Sequence, residues 1–289
     1  MTYDLLIGDK SYSSWSLRAW LLFERFGIPV NIHTTEFYQP GFAEDLKPWF
    51  PATTVPTVRT PLGAVWTDSL AIFEGIIEAY PDMPLLPQEP KSRAAARSLM
   101  AEMHSGFIAL RGDCPMNLRH AWQGFSPSDA VMRDIARISM LWDHARSLGA
   151  DGPWLFGDYG AVDAFYAPVA ARIAGYGLAT DEITAAYVSA HLNDPAFRRW
   201  RAMGEARDRT LSEYDMGLPK GPWPGPEILS AHPAATGPSE NNACPYSGKP
   251  PTHFLELDGR IFGFCNTGCR DKTCADPEAW PAFMKLYQS

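Results

Sequence analysis

Ser13-Ser14-Trp15-Ser16-Leu17-Arg18 is the stretch whose reading decides the fold of this chain. It follows a strand-like Tyr3-Asp4-Leu5-Leu6-Ile7 and a turn around Gly8-Asp9-Lys10. It opens a helical run from Trp15 to Phe26, with Leu17, Trp20, Leu21 and Phe23 on one apolar stripe. Gly27 and Pro29 are stop signals at its end. Hydroxyls placed at a helix N-terminus can donate to an anion, and the positive helix end favours a thiolate over a thiol. Lowering a thiol pKa by about two units needs roughly 2.7 kcal/mol. One charge-assisted hydrogen bond plus the helix terminus supplies energy of that order.

Two further segments complete a binding pattern. Val30 to Thr34 reads as a second strand, Thr57 to Arg59 and Ala64 to Thr67 as two more joined at Pro61-Leu62-Gly63. Val55-Pro56 leads directly into the Thr57 to Arg59 strand. A cis X-Pro step there leaves the Val55 backbone at a sheet edge, where an extended peptide can pair with it. Asp68 caps a helix to Tyr80 with Leu70, Ile72, Phe73, Ile76 and Ile77 apolar. Its N–H groups and the Ser69 hydroxyl suit a carboxylate, and Asp68 suits an ammonium. A γ-glutamyl tripeptide presents both groups. The order β-α-β then β-β-α predicts a small α/β layer domain over residues 1–83.

From residue 90 to 215 the pattern turns all-helical. Ala94 to Leu110 and Asp129 to Leu148 carry apolar residues at three- and four-residue spacing. Val162 to Tyr176 is apolar nearly all round, which places it at the centre of a bundle, and Pro195 to Arg209 closes the set. Residues 216–240 read as a stiff linker, with six prolines between Pro219 and Pro238. The remaining stretch, 241–289, has a hairpin signal at Asp258-Gly259 and a last helix from Pro277 to Tyr287.

Bulk properties narrow the function classes. The 289 residues are 46% hydrophobic and 20% charged, with a formal charge of −8. That charge argues against nucleic acid or an anionic membrane as partner. No apolar run approaches the ~18 residues of a membrane span. Met1-Thr2-Tyr3-Asp4-Leu5 has neither a basic n-region nor an apolar h-region, so a cytoplasmic location is expected.

Ser13-Ser14-Trp15-Ser16-Leu17-Arg18, Val55-Pro56 and Asp68-Ser69, in this order and spacing, resemble the glutathione transferase superfamily. The serine motif is similar to that of zeta-type and related bacterial members. Phe156-Gly157-Asp158 leading into Val162-Asp163-Ala164-Phe165-Tyr166-Ala167-Pro168 extends the likeness through about residue 212. The resemblance implies a thioredoxin-like domain before an all-α domain, glutathione as co-substrate, and a homodimer. It makes Ser13 the thiolate-stabilising hydroxyl with Ser14 second. It assigns the glutathione site to Ser13, Val55, Pro56, Asp68 and Ser69. The implied activity is conjugation of glutathione to a small hydrophobic electrophile, or cis–trans isomerisation of a maleyl compound. A non-catalytic glutathione- and metal-binding redox sensor is the competing class. Trp15, His104, Phe107, Arg111, Asn117 and Trp122 are expected around the second substrate. Cys114 reads as a small buried hydrophobe.

Four of five cysteines crowd the last 46 residues: Cys244, Cys265, Cys269 and Cys274. The C-x20-C-x3-C spacing puts three thiolates at a turn, a hairpin end and a helix start, a set that suits Zn²⁺ or Cu⁺. Phe264-Cys265 with Cys269-Arg270, and Asp276-Pro277-Glu278 before Trp280, resemble TRASH and YHS modules. The resemblance implies a treble-clef-like metal-binding tail. Cys274, His253 or water are the candidates for a fourth zinc ligand.

Overall fold

The computed structural model describes residues 2–289. The chain divides into two packing units, Met1–Leu192 with Glu213–Pro224, and Asn193–Ser212 with Gly225–Ser289.

The first unit begins with β1 (Tyr3–Ile7), α1 (Ser14–Arg25) and β2 (Val30–Thr34), followed by the short α2 (Phe42–Leu46). β3 (Thr57–Arg59), β4 (Val65–Thr67) and α3 (Ser69–Ala79) complete the α/β layer. The sheet runs β2-β1-β3-β4, with β1 parallel to β2 and antiparallel to β3. This is the thioredoxin-like arrangement expected. Leu5, Leu6 and Ile7 are buried because helices cover β1, which is why that strand reads as a continuous apolar run. Gly27, at φ +63°, ends α1, and the Ile28 N–H returns to Phe23 O, a left-handed closure that glycine makes at no steric cost.

The helical part comprises α4 (Pro90–Ser105), α5 (Ile108–Asp113), α6 (Asp129–Leu148), α7 (Ala161–Gly175) and α8 (Glu182–Asn193). The short strands β5 (Ala121–Trp122) and β6 (Lys220–Gly221) pair beside them. The run read as one helix from Ala94 to Leu110 is broken. The Gly106 N–H closes α4 on Glu102 O at 2.7 Å, a Cβ at Gly106 would meet that same oxygen, and Phe107 turns the chain at φ +53°. α7 is buried along nearly its whole length, as its composition predicts. Its start is held by Asp163, whose carboxylate accepts from Gly160 N–H (2.8 Å), Leu155 N–H (3.2 Å) and Tyr187 O–H (2.7 Å). The carboxylate thus supplies the cap that glycine at position 160 cannot.

The second unit is α9 (Pro195–Glu205), β7 (Ala231–Ala234), β8 (His253–Leu257), β9 (Arg260–Phe264), α10 (Thr267–Ala275) and α11 (Pro281–Tyr287). Its sheet order is β7-β8-β9, all antiparallel. Asp258 and Gly259 both have positive φ at the hairpin turn, as the dipeptide predicts. Residues 216–240 therefore differ from the expected linker: they contribute β6 and β7. Pro233 is tolerated because β7 is an edge strand. α9 also groups with the tail rather than with the helical half expected to reach residue 215. Ala202 and Met203 join a core of Leu255, Phe262, Phe264, Ala279 and Phe283. Arg198 adds a two-pronged ion pair to Asp276, at 2.8 and 2.7 Å. Among the described residues, no helix is long and apolar enough to cross a membrane.

Candidate functional site

The turn before α1 is built on Asp9 O, which accepts from the N–H groups of Tyr12 and Ser13 at 3.1 and 2.8 Å. It delivers Ser13 as the N-cap of α1. Ser13 Oγ accepts from Ser16 N–H (3.4 Å) and donates to Ser16 Oγ (2.7 Å), which itself accepts from Gly8 N–H (3.1 Å). The Ser13 hydroxyl is committed to the cap. Ser14 is placed differently. Its Oγ accepts from Arg172 Nη2 at 3.0 Å and donates toward Met116 Sδ at 3.6 Å. A thioether is a weak acceptor, so that proton is easily redirected.

Arg172 reaches this point from α7. Its Nε donates to Cys114 O (2.8 Å) and its Nη1 to Pro168 O (3.1 Å), so the guanidinium is fixed by three bonds. Burial lowers its pKa to about 10, still high enough for it to be charged at neutral pH. Burial pushes the Cys114 thiol up to about 12, consistent with a thiol that packs and does not react. A cavity of about 560 Å³ opens here. Of the residues expected from sequence, Ser13, Ser14, Trp15, Val55 and Arg111 line it. Met116, in the 111–118 stretch expected to border the second substrate's pocket, also lines it, as do Arg172 and Tyr214, which had not been singled out.

Val55 joins its proline through a cis peptide, as the sequence suggests. Among the described residues its backbone N–H and C=O have no hydrogen-bond partner. Asp68 caps α3 by accepting from Leu70 N–H at 2.8 Å, from a backbone held at φ +76°. His104 Nε2 lies 3.6 Å from the Asp68 carboxylate; burial lowers the His104 pKa and Asp68 opposes this. Ser69 Oγ is buried and has no hydrogen-bond partner among the described residues. Pro56, Asp68, Ser69, His104 and Phe107 lie outside the lining of the cavity. Asn117 and Trp122 also lie outside it: Asn117 bonds His120 and Arg119 N–H, and Trp122 packs on His120.

Cations dominate this region. Arg18 is fully buried, and among the described residues none of its three side-chain nitrogens has an acceptor. Its guanidinium stacks 4.5 Å from the Trp15 ring centroid, and that of Arg111 lies 4.5 Å from the same ring. Burial, with Arg172 and Arg111 nearby, pushes Arg18 down to about 9. Desolvated guanidinium groups without counter-ions favour an anion beside them.

The tail holds a second cluster. Sγ atoms of Cys244, Cys265 and Cys269 all lie within 4.8 Å of one another, with Cys265 and Cys269 at 3.9 Å. Sulfurs about 2.3 Å from one ion sit roughly 4 Å apart, so this donor set fits a metal. Ser247 Oγ and Asn266 Nδ2 donate to Cys265 Sγ at 3.1 and 3.2 Å. Burial works against a Cys244 thiolate, but backbone N–H groups of Tyr246, Cys265 and Ser247 outweigh it and bring the thiol to about 7. Cys274 and His253 do not join the cluster. Burial raises Cys274 to about 12, and His253 Nδ1 pairs with Thr252 Oγ1 at 2.9 Å.

Residues 12–79 match the family described as glutathione S-transferase, N-terminal domain. A probable maleylacetoacetate isomerase of Caenorhabditis elegans is 36% identical over 101 residues, 35% of this chain. The match spans about half of that relative's length, 46%. A glutathione transferase homologue from Burkholderia gl BGR1, solved with bound glutathione, has a TM-score of 0.53 at 21% identity. It covers 71% of this chain and 98% of that one. Glutathione transferase Omega 3C of Trametes versicolor gives 0.52 at 19% identity, over 69% of this chain and 87% of its own. A Tau class enzyme from mango, Mangifera indica, gives 0.52 at 18% identity, covering 69% and 92%. Residues 12–79 thus match a glutathione S-transferase N-terminal domain, and over about 70% of the chain the fold is that of the glutathione transferases.

Proposed function

We propose that this protein is a glutathione-dependent enzyme in which Ser14, polarised by Arg172, stabilises the glutathione thiolate. The 3.0 Å bond from Arg172 Nη2 to Ser14 Oγ in the cavity wall carries this reading. It reverses the order taken from the sequence, which put Ser13 first. A serine that accepts from a guanidinium has its own proton free to donate, and the charge behind it strengthens that donation. The thiol proton leaves to solvent, and the sulfur attacks an electrophilic carbon. Val55 would pair with the cysteinyl backbone of glutathione, Asp68 would take the γ-glutamyl ammonium, and Ser69 its carboxylate.

Arg111 and Arg172 in the cavity favour an electrophile that itself carries a carboxylate. That supports the maleyl-type isomerisation over conjugation of a purely apolar compound: the thiolate adds across the double bond, the carbon–carbon bond rotates, and the thiolate leaves. The test compares Ser14→Ala with Ser13→Ala. Ser14→Ala is expected to raise the bound thiol pKa by about two units and lower kcat/KM roughly 100-fold. Ser13→Ala acts mainly through its cap, about 1 kcal/mol of stability. The reverse ranking would return the role to Ser13, and no turnover on electrophiles of either class would favour the non-catalytic sensor. A homodimer is part of this reading; light scattering would then give twice the chain mass of 32.0 kDa.

The sulfur triad supports a second element of the proposal, a metal site. Cys244, Cys265 and Cys269 would hold Zn²⁺ or Cu⁺, which would supply a structural cross-link to a small core. Metal analysis of the purified chain tests it: loss of near-stoichiometric ion in Cys269→Ser is expected, and absence of any ion in the parent would reject it.

A further inference from the structure

We propose that the sulfur triad of the tail is an open site whose fourth ligand is a thiol from outside the chain, of the glutathione kind. This rests on the reading of Cys244, Cys265 and Cys269 as metal ligands. Among the described residues no fourth Cys, His, Asp or Glu comes within reach of the three sulfurs. Cys274 lies five residues beyond Cys269 on α10, about 140° around the helix, and stays out of the sulfur cluster. His253 is turned to Thr252.

Structural zinc sites are closed by four protein ligands, and three with one position free mark a site that accepts an exchangeable ligand. The burial pattern agrees. Cys244 is buried, while Cys265 and Cys269 are partly exposed, so the free position opens on their side. The surroundings also suit additional negative charge. Ser247 and Asn266 donate to Cys265 Sγ, and backbone N–H groups donate to Cys244. The Lys272 ammonium stands over Tyr246 and Trp280, at 4.0 and 3.9 Å, close enough to the thiols to interact with all three. A divalent ion on three thiolates carries one net negative charge, and a fourth thiolate makes two. The donors and Lys272 offset that increment. Borderline and soft ions prefer sulfur, so a thiol competes well with water or a carboxylate. The incoming thiol coordinates as thiolate and gives its proton to solvent as water leaves.

The experiment loads the full chain with Co²⁺ under anaerobic conditions and reads sulfur-to-cobalt charge-transfer absorption. Added glutathione is expected to raise that band by about a third, from three thiolates to four. S-methylglutathione, which has no free thiol, is expected to leave it unchanged. Cys274→Ala and His253→Asn should behave as the parent before and after glutathione. One bound Co²⁺ with a glutathione-insensitive band overturns the proposal and leaves the metal site standing. So does loss of a quarter of the band in Cys274→Ala. No retained Co²⁺ or Zn²⁺ overturns the metal reading and the proposal with it.

Discussion

The N-terminal cavity and the cysteine tail are electrostatic opposites. Around the cavity, Arg18, Arg111 and Arg172 bring buried or half-buried positive charge, and Arg18 has no acceptor among the described residues. In the tail, three sulfurs converge and are surrounded by N–H and O–H donors and by Lys272. On the readings proposed above, an anion completes the first arrangement and a cation the second. Burial gives each its leverage: desolvated charges interact strongly with whatever ion satisfies them. Pairing the two in one chain suggests that a thiolate can be the ligand of both.

The largest effect that could break this comparison lies in the tail core. Phe283 is fully buried, with its ring 5.2 Å from Phe262 and 6.0 Å from Phe264. Phe283→Ala should cost about 3–5 kcal/mol of that unit's stability in denaturant unfolding. Zinc at roughly 100 times its dissociation constant should restore about 2.7 kcal/mol. Restoration by glutathione alone, without metal, would mean that the tail is completed by an anion and that the contrast is wrong.

Next in size is Arg172→Met. It withdraws charge from Ser14, and the acid limb of the pH–rate profile should move up by about two units, with roughly 100-fold lower kcat/KM at neutral pH. It also leaves the Cys114 carbonyl without its Arg172 donor, at about 1–3 kcal/mol. The pH profile separates the two effects. If only stability falls and the profile stays put, Arg172 is a strut. Arg172→Lys should recover part of the shift.

How far the sequence carried these conclusions depends on the range of the interactions involved. α6 was legible at both ends because Ser128 caps it and Gly149 ends it, both local signals. The sulfur triad was legible for the same reason: a turn, a hairpin and a helix start bring close neighbours in sequence together. Of the candidates for a fourth position, Cys274 stays out of the cluster because its five-residue offset from Cys269 turns it around the helix. The break at Gly106 escaped because the apolar spacing runs on through Phe107, and only the backbone shows the left-handed turn. Arg172 left one usable signal, a lone cation in the otherwise apolar Ala170-Ala171-Arg172-Ile173. Its partner Ser14 is 158 residues away, and no local pattern links them. The grouping of α9 with the tail rests on Arg198 with Asp276, which is also long-range. Proline content hid β7, since an edge strand accepts what a central strand rejects.

The smallest effect concerns neither ion site but the start of α7 and the buried face of α8, where titrating groups oppose each other instead of awaiting a ligand. Asp163 is fully buried, and burial raises its pKa to about 6 against the N–H and O–H donors that hold it. His191 is fully buried on α8, and burial with Arg25 nearby lowers it to about 3. Between about pH 4 and pH 6 the folded chain holds a proton on Asp163 that the unfolded chain has lost, so this group's contribution falls as pH rises. Over the same window the unfolded chain holds a proton on His191 that the folded chain lacks, so this contribution rises with pH. Each slope is about 1.4 kcal/mol per pH unit, and with opposite signs they nearly cancel. Asp163→Asn should uncover the histidine slope: against the parent, the variant loses an additional ~1.4 kcal/mol for each unit of acidification from pH 6 to pH 4. His191→Gln should uncover the opposite slope, with stability falling as pH rises through the same range. Urea midpoints at half-unit pH steps would show it. Parallel curves for parent and Asp163→Asn would mean that Asp163 stays ionised in the fold, held by its three donors.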